Sequence, residues 1–394
     1  MQATEGKALV AQYGPEPELE RRLKTLHDWL VNEAYPRWAD QGYDRHRGGF
    51  QELLESAGPV VGVPRRARVQ VRQLYAFARA AELGWNGDAT ELVTRGWEYF
   101  FRNYRRPDGL YRTLIRPDGT ALDDRALLYD QAFVLLALAE SHRRGGRLES
   151  AQLTAARQLR GKLFELLKCA GPGYRSGLPE ALPLLANPHM HLLEAAQNWA
   201  LVDADPAWQA MADEIVALAL GHMIDPGVGA LFERFDEHWR ALRGDLDRLV
   251  EPGHLFEWAW LLLRARGSSP VDRTIEAAMR LVDIGETYGI HGGVAVSSLH
   301  ADFSVHDGQA RLWTQTERLK AALALARLTH DSRYWNAATL AAHSLWRYLD
   351  AGAPGLWHDR LDAGGAFRAE PAPASTFYHL VVAIAEGRLD EGTA

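Results

Sequence analysis

Two histidines draw attention by where they stand. His254 in EPGHLFEWAWLL and His379 in STFYHLVVAIA each open a long apolar run, where a polar side chain is costly unless it is bonded or used. The sequence offers partners for them. Glu257 lies three residues past His254 and so on the same helical face, and Asn187 and His191 are four apart in NPHMHLLEA. Arg72 sits in RARVQVRQLYAF, and Trp313 and Glu317 in RLWTQTE. Imidazoles that titrate near neutrality suit removal of a proton beside a carbonyl and its return elsewhere. On an open-chain aldose this takes the C2 proton and leaves a cis-enediolate. Return to C1 gives the ketose, and return to the opposite face of C2 gives the epimer. Arg72 and helix N-termini would stabilise the charge on the enediolate oxygens.

Each residue also has a plainer use. A histidine at a helix start can satisfy a loop carbonyl, Arg72 can pair with a buried carboxylate such as Glu257 or Glu317, and Trp313 can be core. Glu194 and Glu286 read as structural partners. Glu257 with Glu317 would make a glycosidase only as two well-positioned carboxyl groups. HMH at 189–191 and EPGH at 251–254 hold metal-ligand types, but neither is HExxH, so no metal is expected. Neither a dinucleotide fingerprint nor a P-loop occurs; Gly145-Gly146, Gly292-Gly293 and Gly364-Gly365 read as turns, and no cofactor is expected. No concentrated Lys/Arg cradle accompanies the motifs, so the sugar is expected to be unphosphorylated.

Positioning these residues is the task of helices. Periodicity of 3.6 predicts twelve, near 19–34, 66–84, 88–103, 127–142, 149–168, 190–203, 207–222, 254–266, 269–286, 313–329, 332–349 and 375–387, with no alternating strand run to compete. Asp88, Asp205-Pro206 and Ser269-Pro270 supply starts. Segments apolar all round, such as LLYDQAFVLLALA, alternate with segments carrying one apolar stripe. Links alternate too, short then long, at about 66 residues per helix pair. Six such hairpins predict an all-α chain folded as one domain over residues 1–394, an (α/α)6 barrel of six inner and six outer helices. The long links all lead into inner helices and so gather on one face, the expected cleft.

Composition narrows the class. With 44 Lys+Arg against 51 Asp+Glu, the formal charge is −7, which disfavours a nucleic-acid surface. One cysteine, Cys169, excludes an internal disulfide and fits a reducing compartment. The first residues lack the pattern of a signal peptide, and no uncharged apolar stretch reaches membrane-spanning length, so a cytoplasmic protein is expected, as monomer or homodimer.

VQVRQLYAFARA, NPHMHLLEA, EPGHLFEWAWLL, RLWTQTERLKAAL and PASTFYHL, in this order across nearly the whole chain, resemble the N-acylglucosamine 2-epimerase family, which includes cellobiose 2-epimerases, mannose isomerases and related aldose–ketose isomerases. The resemblance implies an (α/α)6 barrel in which His254 and His379 are the acid/base pair. His379 would be the carbon base, and His254 would assist ring opening and oxygen protonation, or act as the opposing carbon acid in epimerisation. Glu257 would orient His254. Arg72, Asn187, His191, Trp313 and Glu317 would surround the sugar, and Tyr111 in DGLYRT would reach it from a long connection. The sequence looks most similar to the mannose isomerases, implying interconversion of D-mannose and D-fructose, and of D-lyxose and D-xylulose. The alternatives are 2-epimerisation of an N-acylated hexosamine or cellobiose, or a non-catalytic carbohydrate-binding protein.

Overall fold

A segment apolar on every side must be surrounded, and from Asp130 to Ser141 every side chain of one such helix is buried. In the computed structural model, which describes residues 15–145, 149–179, 182–265 and 271–388, this helix is one of six around a common axis. Outer helix α1 (Pro17–Trp29) passes through a π turn (Leu30–Ala34) into α2 (Tyr35–Asp40), and inner α3 (Ala67–Arg79) follows. The remaining hairpins run from outer to inner helix. They are α4 (Ala89–Tyr104) with α5 (Leu128–Arg143), α6 (Glu149–Leu166) with α7 (Ala186–Val202), and α8 (Ala207–Leu218) with α9 (Pro252–Arg264). Then come α10 (Val271–Tyr288) with α11 (Leu312–Thr329), and α12 (Ser332–Leu349) with α13 (Phe377–Glu386). Each inner helix packs on the next and α13 packs back on α3, so the inner ring closes, while α12 packs on α1 outside it.

Outer helices bury one stripe, as α12 does with Tyr334, Ala338, Ala341, Leu345 and Tyr348. The fold is therefore the expected all-α (α/α)6 barrel. The proposed Ser269-Pro270 start, Gly146 and the N-terminal segment lie outside the described residues. Among those described, no helix is long and apolar enough to cross a membrane.

The connections hold strands that periodicity did not reveal, because each is only two or three residues long. Their pairing follows a rule. The residues just before an inner helix pair, antiparallel, with the next connection round the ring. Arg65–Arg66 pairs with Leu114–Ile115, Ala126–Leu127 with Gly177–Leu178, and Leu184–Leu185 with Arg234–Phe235. Val250 then bridges to Leu299, Ala310–Arg311 pairs with Arg360–Leu361, and Ala372–Pro373 with Leu53–Leu54. The result is a belt round the mouth, joining the end of the chain to its beginning.

A second repeat ties belt to helices. In three inner helices the fourth residue takes both backbone groups of a connection residue, and in a fourth helix one of them. Gln70 accepts from Phe50 N and donates to Phe50 O, at 2.7 and 2.8 Å. Gln131 does the same for Tyr111 at 2.9 and 2.8 Å, and Gln315 for Ala295 at 2.9 Å each. His189, fourth in α7, accepts from Tyr174 N at 2.9 Å.

Candidate active site

Residues four apart on a helix share a face, and the inner helices use this to build two tiers at the mouth. Their second residues include Arg68, Tyr129, Asn187 and Trp313. Their sixth are Arg72, Phe133, His191, Glu257, Glu317 and, counted from the 3₁₀ turn Ala374–Thr376 that leads into α13, His379. Between the tiers lies a cavity of about 250 Å³, the size for one small ligand. Arg72, Asn187, His191, His254, Glu257, Trp313 and His379 all line it. Glu317 is fully buried beneath His379.

Tyr111 is elsewhere. Its ring is buried against Phe100 and Phe101, its backbone is clamped by Gln131, and it borders a groove between α4, its following connection and α6. It occupies the place that Phe50 and Tyr174 hold in their own connections, so the expectation that it reaches into the cavity is corrected.

The two histidines carry opposite charge states. His379 donates Nδ1–H to Glu317 Oε1 at 2.8 Å, which leaves the Nε2 lone pair for the cavity. Burial, with Arg72 and Lys320 nearby, holds its pKa well below 6.5, so it is a neutral base. For His254, burial opposes charge, but Glu233, Glu251 and Glu257 prevail and hold its pKa well above 6.5. Its Nδ1 donates to Glu233 Oε1 at 2.7 Å and lies 3.3 Å from Glu251 Oε2. Its Nε2 faces the Asn187 amide at 3.1 Å. The Asn187 oxygen is buried without a partner. Turning that amide over gives Nε2–H an acceptor, the arrangement an imidazolium needs. The Trp313 indole stands by both rings, its centroid 5.2 Å from that of His254 and 5.7 Å from that of His379.

Glu257 does not orient His254. That role falls to Glu233, from the connection before α9, because His254 in the first helical turn leans toward that connection. Glu257 points deeper, 3.8 Å from His191 Nδ1. Burial and the neighbouring Glu317 push its pKa well above 4.5. His191 is neutral, since burial brings its pKa down to about 3.

Arg72 pairs with neither Glu257 nor Glu317. It donates to the Tyr129 hydroxyl at 2.7 Å and to Ser375 O at 3.3 Å, and stacks 4.0 Å above Phe133. Glu194 accepts from Tyr378 Oη at 2.5 Å, and Glu286 holds Arg318 at 2.7 Å, both structural roles.

Beneath the cavity is a cation the sequence reading passed over. Lys320 is fully buried, with Nζ 2.5 Å from Glu317 Oε2 and 4.0 Å from the centre of the Trp260 ring. By spacing, His191–Glu194–Glu257 and Glu257–Glu317–His379 could each hold a metal ion, their ligand atoms lying within 4.8 Å of one another. Lys320 already supplies positive charge beside these carboxylates, and burial fails to lower its pKa because Glu317, Glu257 and Glu194 surround it. Glu317, committed to His379 and Lys320, is also no free partner for Glu257 in a glycosidase pair.

Arginines are the other omission. Arg66, Arg68 and Arg311 line the cavity along with Arg72, so the premise that no basic cradle accompanies the motifs does not hold. Arg311 is more than 200 residues from the other three in sequence, and only ring closure brings them together.

The model of the N-acylglucosamine 2-epimerase (GlcNAc 2-epimerase) family matches residues 48–383. A protein of Rhizobium meliloti (strain 1021) named mannose-6-phosphate isomerase is 43% identical over 374 residues, spanning 92% of this chain and 95% of its own length. The D-mannose isomerase of Thermobifida fusca is 25% identical over 380 residues, covering 89% of this chain and 91% of its own. The fold is similar to that of the cellobiose 2-epimerase of Spirochaeta thermophila, with a TM-score of 0.83 at 23% identity over 94% of this chain and 97% of that one.

Proposed function

Since the chain belongs to the N-acylglucosamine 2-epimerase family, whose sugar isomerases and epimerases share this barrel, we propose that it is a cofactor-independent aldose–ketose isomerase interconverting D-mannose and D-fructose, with D-lyxose and D-xylulose as the shorter pair. The observation that carries this is a neutral His379 and a cationic His254 lining one small cavity. His254 protonates the ring oxygen as the sugar opens and takes back the proton that the anomeric hydroxyl loses, so that it is again an imidazolium when the open-chain carbonyl has formed. His379 Nε2 then removes the C2 proton, and the electron pair moves into the C1–C2 bond as the carbonyl oxygen takes negative charge. Arg72 and the His254 imidazolium stabilise that enediolate. His379 returns its proton to C1, a proton passes from O2 to O1, and the C2 carbonyl of the ketose results.

The names of the two isomerases similar to this chain favour C1 over the opposite face of C2 as the point of return. Purified protein in heavy water should convert mannose to fructose with exchange at C2, and His379→Asn should lower turnover by at least about 10²-fold with an unchanged far-UV circular dichroism spectrum. Saturable sugar binding without exchange would instead indicate a carbohydrate-binding protein. Conversion to glucose in place of fructose would indicate an epimerase.

A further inference from the structure

We propose that the mouth of the cavity binds a phosphate on the substrate, at the end of the sugar remote from its carbonyl. The proposal deepens the isomerase reading and rests on it. Exposure gives the cavity a direction. Arg72, His191, His254 and His379 are each at most 6% exposed, whereas the side chains of Arg66, Arg68 and Arg311 are 35%, 25% and 44% exposed. The reacting carbons therefore belong at the bottom and the far end of the sugar at the arginines.

These arginines occupy one arc. In the inner ring α11 adjoins α13 and α13 adjoins α3. Arg311 immediately precedes α11, Arg66 immediately precedes α3, and Arg68 lies in the first turn of α3. Between them, Ser375 at the start of α13 also lines the cavity. The opposite arc, α7 and α9, supplies Asn187, His191, His254 and Glu257. The guanidinium groups at the mouth thus share one arc, with His379 of α13 buried on that same arc and His254 across from it.

Each guanidinium is anchored from behind. Arg66 holds Glu52 through Nε at 2.8 Å and Nη2 at 2.7 Å, Arg68 Nη1 meets Asp130 at 3.1 Å, and Arg311 Nη2 meets Asp359 at 3.1 Å. Glu52, Asp130 and Asp359 are themselves buried, and Asp359 also accepts from Thr376 at 2.8 Å, which ties Arg311 to the start of α13. Each anchor engages part of one planar fork and leaves other N–H donors at the mouth. A fixed fork gives geometric specificity for the oxygens of phosphate, and it loses little freedom on binding. A neutral hexose hydroxyl needs no such set of cations.

The test is steady-state kinetics of the full chain with mannose, mannose 6-phosphate and mannuronate, with inorganic phosphate as inhibitor. Mannose 6-phosphate is expected to exceed mannose in kcat/KM by about 10²-fold or more, and inorganic phosphate to inhibit competitively. Arg311→Gln and, separately, Arg66→Gln should each lower the ratio of kcat/KM for mannose 6-phosphate over mannose at least tenfold; either variant that folds, by circular dichroism, suffices. Isomerisation of mannose with no gain from the phosphate, or a ratio unmoved by both variants, overturns the phosphate site and leaves the isomerase reading standing. Preference for mannuronate over the phosphate ester overturns it in favour of a carboxylate site. Failure to rearrange any of the three, with no C2 exchange, overturns the isomerase reading itself.

Discussion

Two imidazoles of equal intrinsic basicity reach opposite charge states here because each has a different set of neighbours. Burial disfavours the charged form of both; three carboxylates reverse that at His254, while Arg72 and Lys320 add to it at His379. The proposed reaction needs His379 without its proton and His254 with it. As pH falls, activity should hold to well below 6.5 before His379 is protonated. As pH rises, it should hold to well above 6.5 before His254 loses its proton. The kcat/KM profile is expected to be a broad plateau across neutrality. Glu233→Gln should move its alkaline limb to lower pH by about one unit or more and leave the acid limb in place; an unmoved alkaline limb would show that Glu233 does not set the state of His254. The sequence made the histidines legible, since a polar residue opening an apolar run is conspicuous. It did not make their partners legible. Glu233 stands 21 positions from His254 and Glu317 62 from His379, so no helical spacing links them, and Glu257, which spacing did favour, serves another part of the site.

The inner helix is the element that converts sequence period into geometry, with most second and sixth residues at the cavity and, in four of the helices, the fourth bonded to the belt. The second residue of α9 is Gly253, and the reason lies on another helix: a Cβ there would come within 2.5 Å of the Trp313 indole. Gly253→Ala, in a helical turn where alanine alone would favour the helix by about 0.4–1 kcal/mol, should instead destabilise the protein by about 1–3 kcal/mol and lower kcat/KM by about tenfold. Chemical denaturation and kinetics on one preparation check both signs, and a stabilised, fully active variant would show that Trp313 is not seated against α9. At this scale the twelve helices were legible within a few residues, because their apolar stripes are long. The short strands were not, having no room for a period. A signal for the clamp was nonetheless present, in Gln70, Gln131 and Gln315 at matching places near helix starts. Read as a repeat, it assigns Tyr111 to the scaffold.

For the whole molecule, the alternation of buried and one-sided helices, and of short and long links, was enough to predict a closed double ring. The arginine arc was not predictable, since it exists only once α11, α13 and α3 are neighbours. Closure couples the first helices of the ring to the last. Ala372–Pro373 pairs with Leu53–Leu54, Gln73 donates to Ala374 O, and Trp38 donates to Gly355 O. No hairpin has both sides free, so we propose that residues 1–394 unfold as one unit. Thermal melting followed by near- and far-UV circular dichroism should give coincident single transitions; two separated steps would divide the chain into independent domains. The belt has a kinetic meaning too. Each long connection is paired with both neighbours, so none can lift away whole without breaking backbone hydrogen bonds on both sides. In the proposed reaction aldose and ketose share the one doorway that this belt frames. Each must leave before the other can enter, so the flux through the enzyme answers to both sugars at once.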